Sequence, residues 1–296
     1  MNASVIKLAP TQVATLSSSA LLVSLNISCG TFKKKDRGTS DEVLASKGAR
    51  TRCASVEKIL LADSKELEAI SKFAAMVRTW NNGQTLPWHD KGPRLLPAAR
   101  MLDYKTQVGE FEREFNKLLD AFIDSYHLAV QAAQFGMVGM FDINDYPDVS
   151  EVRTKFSFDV YFSPLPEAGD FRVTIGQQGL DELRQTYEAQ ANRALEMAMS
   201  ENWKRLHAAV STISRQLNID ASGTKGKLYE GSLEGVLELC DMLEDFNLTG
   251  DLEMEKARRE LKMTLQGVNL KELKKDDGAR LAIKAEVDEI LSKFNI

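Results

Sequence analysis

Apolar residues recur every three or four positions over two long stretches of this chain. Met101, Tyr104, Val108, Phe111, Phe115, Leu118 and Phe122 hold that spacing for three heptads and continue loosely to Ala129. Positions so spaced share one face of a helix, so the run predicts a helix ending near Gln134, ahead of Gly136. A second seam starts near Leu180: Leu183, Tyr187, Ala191, Ala194 and Ala198, then Trp203, Leu206, Val210, Ile213 and Leu217. Its alanines let a neighbouring helix come close, and about 37 residues at ~1.5 Å each span about 55 Å. Two seams of similar length predict an antiparallel helical hairpin of coiled-coil character.

Alternation by twos appears in fewer places. Leu21, Val23, Leu25 and Ile27 have the strand period, and so does Phe156-Ser-Phe-Asp-Val-Tyr-Phe162. A turn at 164–169 joins the latter to Asp170-Phe-Arg-Val-Thr-Ile175, a predicted hairpin that the first strand joins. Asp63-Ser-Lys-Glu66 reads as a capping box ahead of a helix over 67–78. Past a Gly- and Ser-rich linker at 220–226, three shorter amphipathic helices are predicted over 233–246, 252–265 and 279–294. The expected fold is α+β, mostly α, with a sheet of about three strands. Its expected divisions are a loose arm (1–18), a main domain (19–219) and a C-terminal three-helix segment (220–296).

Between the first two helices, residues 79–97 interrupt the pattern with Trp80, Pro87, Trp88, Pro93 and Pro97. Proline fixes φ and removes a donor, so neither helix continues through this stretch. Two of the chain's three tryptophans lie here, which predicts an ordered corner with Trp80 and Trp88 buried against the helices. His89, Asp90 and Arg94 are then the residues expected to face a partner.

Charge changes the picture only locally. The net charge is −5, yet residues 31–58 carry eight Lys/Arg against four Asp/Glu, and residues 230–260 carry ten acids against three bases. Such asymmetry fits association between copies or a bipolar partner surface. Lys33, Lys34, Lys35, Arg37, Arg50 and Arg52 are the candidate phosphate contacts, with salt-dependent binding expected. The aromatic interleaving that marks single-strand binding is missing, so nucleic acid is not the favoured partner.

Motifs for chemistry are scarce. Cys29, Cys53 and Cys240 are far apart, and no Cys/His cluster has metal-ligand spacing, so no metal or cofactor is expected. Ala221 stands where a phosphate loop ending at Gly226-Lys227 needs its first glycine. His89-Asp90 is the one pair placed for acid–base work, and no nucleophile accompanies it. The apolar run at 19–29 is broken by Ser24 and Asn26, which argues against a lipoprotein signal, and no run reaches a membrane span. A non-enzymatic protein is the expectation.

Four segments carry a resemblance. Leu22-Val-Ser-Leu-Asn-Ile27 with the basic run after it, Thr85-Leu-Pro-Trp-His-Asp-Lys-Gly-Pro-Arg-Leu-Leu-Pro97, Gly139-Met-Phe-Asp-Ile-Asn-Asp-Tyr-Pro147, and residues 158–173 resemble a family of uncharacterised proteins of phages, plasmids and integrative elements, domain of unknown function thirty-one fifty. The resemblance covers most of residues 20–220, and the Leu-Pro-Trp…Arg-Leu-Leu-Pro block is its most distinctive part. Such genes often lie near a MoxR-type AAA+ ATPase and a von Willebrand A-domain protein. The resemblance therefore implies an accessory protein, an adaptor or substrate of such a motor. With the long apolar seams and the bipolar charge, the expected function is a self-associating interaction protein of the host cytoplasm, acting with other element-encoded proteins. The runner-up is a DNA-binding accessory factor in replication or recombination. No catalytic residues carry over.

Overall fold

The computed structural model describes residues 16–165 and 177–293. The strand expected at 170–175 and most of the N-terminal arm lie outside the described residues. Elsewhere the chain is mostly helical with a small antiparallel sheet, the expected α+β class. It divides into two compact units that alternate along the sequence. The first comprises Met1–Val23, Thr85–Leu102 and Phe162–Ile296; the second comprises Ser24–Gln84 and Asp103–Tyr161.

In the second unit, helices α2 (Lys65–Gln84) and α3 (Met101–Met137) carry the main core. Ser64 caps α2, its Oγ accepting from the Leu67 N–H at 3.2 Å, so the cap lies one residue beyond the start of the expected box. Ile70, Ala74 and Val77 of α2 pack on Phe115, Leu119 and Phe122 of α3. Phe32 and Phe156 complete the cluster, with the Phe32 ring edge-on to Phe122 at 5.7 Å. The rest of the unit surrounds this core. Strand β2 (Lys33–Asp36) pairs antiparallel with β3 (Val56–Ile59), matching Lys33 to Ile59 and Asp36 to Val56. Helix α1 (Arg37–Ser46) lies between them in sequence, and α4 (Val149–Thr154) follows α3.

The expected corner is shorter than 79–97. Residues 79–84 continue α2, and Trp80 stacks half-buried on Tyr104 at 5.0 Å. Tyr104 donates to the buried Asn81 Oδ1 at 2.6 Å, which holds the last turns of α2 to the start of α3.

In the first unit, residues 86–97 form a second correction. They are a small hairpin, β4 (Leu86–Pro87) and β5 (Arg94–Pro97), not an irregular corner. β5 pairs antiparallel with β1 (Ala20–Ser28), Ala20 opposite Pro97 and Val23 opposite Arg94. Pro97 is tolerated because it ends its strand. Strand β6 (Ser157–Pro164) completes the order β4-β5-β1-β6, so the first strand's partners include a segment that reads as loop.

Helix α5 (Gln177–Leu217) is followed by α6 (Glu230–Phe246), α7 (Leu252–Leu265), α8 (Leu270–Lys275) and α9 (Asp277–Ser292). Ala191, Ala194 and Ala198 of α5 pack on Leu86, Trp88 and Leu95, where small residues admit the tryptophan. Leu206, Val210, Ile213 and Leu217 pack on the C-terminal helices. The first long seam is covered within the second unit, and the second long seam within the first. The last turns of α5 share one core with the C-terminal helices.

Two buried arginines brace these helices. Arg258 of α7 forks onto Glu255, with Nε to Oε2 at 2.8 Å and Nη2 to Oε1 at 2.7 Å. The Arg258 hydrogen bonds hold the Glu255 carboxyl down at about 2, well below its ordinary value. The charged form is thus favoured in the folded state. Its stabilisation is complete above about pH 4.5 and is lost as pH falls toward 2. Acid unfolding followed by circular dichroism is expected to show this loss, and Glu255→Gln should flatten the profile in that window while lowering stability at pH 7 by about 1–3 kcal/mol. An unchanged profile would count against the pairing. Arg280 of α9 donates to three main-chain carbonyls: Leu217 at 2.9 Å, Gln216 at 2.5 Å and Gly226 at 2.6 Å. A Cβ on Gly226 would lie 2.6 Å from the Gln216 oxygen, so only glycine lets the chain approach so closely.

Candidate interaction site

The distal half of α3 differs from the rest of the helix. Residues 128–141 contain no charged side chain. Leu128 and Phe135, seven apart, lie on one side of the helix, away from the buried Phe115, Phe122 and Tyr126. Phe135 is 82% exposed and Val138 is 78% exposed, and Ile59 and Ile143 are open nearby. Isolated exposed apolar residues are ordinary, whereas larger exposed apolar patches are typical of contact surfaces.

Beside this rim is a cleft of about 370 Å³. Ala129, Ala132, Ala133 and Gly136 of α3 form one wall, and Leu61 is on the other with the polar Asp63, Ser64, Lys65 and Glu66. Small side chains on the α3 wall leave the space unfilled. Neither wall offers a nucleophile–base pair, and the walls are mainly apolar, as in sites that take an apolar side chain.

The segment after α3 is held firmly. Tyr146 Oη donates to the Leu60 carbonyl at 3.0 Å, Tyr126 Oη donates to the Pro147 carbonyl at 3.0 Å, and Lys58 Nζ donates to the Met140 carbonyl at 3.2 Å. Val138 has φ of +45°, a left-handed conformation that a β-branched residue adopts only under constraint.

Asp145 anchors the same segment to β2 and β3. Its buried carboxylate takes ion pairs from Lys34 and, at 2.5 Å, from Lys58, which also lies 3.9 Å from Asp36. Burial pushes the Asp145 carboxyl up, and the two ammonium groups outweigh it and hold the group below its ordinary value. Lys33 reaches Glu57 at 3.5 Å. Part of the basic cluster is thus neutralised within the fold. Lys35, Arg37, Arg50 and Arg52 are exposed and make no ion pair with a described residue.

His89 and Asp90 are exposed beside the buried Trp88 and form no hydrogen bond with each other. Arg94 turns back on the chain, Nε donating to Thr85 Oγ1 at 2.6 Å, and both Arg94 and Arg205 donate to the Thr85 carbonyl. Pro87, Pro93 and Pro97 shape the hairpin around Trp88. The predicted partner residues are therefore in the first unit, and the apolar cleft is in the second. A charge-free run with apolar residues off the helical seam was the sequence signal for that cleft.

Among the described residues, no cluster of His, Cys, Asp or Glu could hold a metal ion, and no helix is long and apolar enough to cross a membrane. No family model, curated protein or solved structure matches this chain.

Proposed function

We propose that this chain is a non-enzymatic interaction protein that works through protein contact at the distal end of α3. The observation that carries the reading is the exposed Phe135–Val138 rim beside an empty-walled apolar cleft, on a segment fixed by Tyr126, Tyr146 and Lys58. Exposed apolar surface costs solubility, and pre-ordered surface lowers the entropy lost on binding. The resemblance to the mobile-element family supports an adaptor in the host cytoplasm, acting with element-encoded proteins such as a MoxR-type AAA+ ATPase. DNA binding has less support, because Lys33, Lys34 and Lys58 already face Glu57 and Asp145.

The test is recovery of bound protein on the tagged chain from cells carrying the element. Phe135→Glu is expected to reduce that recovery by about tenfold or more while leaving the thermal midpoint in place. Undiminished recovery would overturn the reading.

A further inference from the structure

We infer that the distal end of α3 is covered by a second copy of this chain, with Phe135 of each copy seated in the alanine-lined cleft of the other. The inference rests on the contact role proposed above and names its occupant. One helix carries both the knob and the hole. Phe135 stands on the rim, and Ala129, Ala132, Ala133 and Gly136 line the adjoining space. A twofold operation brings each knob to the other copy's hole, which is the self-complementarity an isologous interface needs.

Charge permits the same arrangement. Residues 128–141 present no charge, and the charged residues of the facing wall, Asp63, Lys65 and Glu66, carry both signs, so two copies need not oppose like charges. Area agrees as well. Ile59, Leu128, Phe135, Val138 and Ile143 expose on the order of 600 Å², more than scattered apolar residues usually leave and close to the ~800 Å² per partner of a standard interface. The cleft of about 370 Å³ has room for an aromatic ring.

Sedimentation equilibrium of the full chain across the micromolar range tests this. The wild type is expected at twice 33.0 kDa. Phe135→Glu removes the knob and Ala132→Phe fills the hole, and each should return the mass to 33.0 kDa. Both positions are exposed, so both variants should keep the wild-type far-UV circular dichroism spectrum. A monomeric wild type, or a dimer that survives both changes, overturns the inference. If the wild type is monomeric and Phe135→Glu still abolishes recovery of another protein, the contact role stands and the occupant is that protein instead.

Discussion

Replacing Arg280 by leucine is expected to cost about 4 kcal/mol, read as a shift in the urea midpoint at unchanged slope. The residue is 2% exposed, and no carboxylate among the described residues pairs with it. Its partners are the carbonyls of Gln216, Leu217 and Gly226. The first two end α5, where a helix has no N–H groups left to offer its carbonyls. They also carry the negative end of the helix dipole, which compensates a buried guanidinium in place of an anion. Leucine fills part of the volume and leaves all three oxygens without a donor, at roughly 1–3 kcal/mol for each group that water cannot reach. Lysine keeps the charge but cannot fork, so Arg280→Lys should recover only part of the loss. A change under ~1 kcal/mol for Arg280→Leu would show that the carbonyls find other donors.

Trp88→Ala should cost a comparable ~3–5 kcal/mol. Trp88 is buried among Leu86, Leu95, Ala191, Ala194 and Leu195, so truncation opens a cavity between the β4–β5 hairpin and α5. Ala191, Ala194 and Ala198 of α5 present only methyl groups there, so that wall can refill little of it. The contrast with the next residue makes the test specific. His89 is exposed, and His89→Ala should stay within about 0.5 kcal/mol of wild type. Differential scanning calorimetry of the two variants separates the alternatives. Equal midpoints would mean that the Leu-Pro-Trp block serves contact rather than stability.

The long helices were legible because each repeats its apolar spacing for many turns, and the period is a local property. The C-terminal helices over 230–246, 252–265 and 277–292 were legible for the same reason, whereas Leu270–Lys275 is too short to show a period and was missed. β5 was not. Arg94-Leu-Leu-Pro97 is too short to show a period, and it becomes a strand only by pairing with Ala20–Val23, far away in sequence. β2 was equally hidden. Lys33-Lys-Lys-Asp36 has no apolar alternation, and its ladder to β3 and the ion pairs to Asp145 and Glu57 supply what the sequence pattern lacks. The exposed rim at Phe135 escaped for the opposite reason: the helix was predicted, but which of its apolar residues stay uncovered depends on how many neighbours the fold provides.

The alternation of the two units along the chain sets the order in which they can form during synthesis. Every segment of the second unit has been made once Tyr161 emerges from the ribosome. Leu86, Trp88 and Leu95 emerge earlier still, yet the residues that cover them, Ala191 to Met199 and Phe246, come long afterwards. For that interval the hairpin's tryptophan and two leucines have only Leu16, Ala20 and Leu22 of their cluster to pack on. A nascent chain is thus half finished with its stickiest corner uncovered, and the period between residues 97 and 246 is when a chaperone has most to protect.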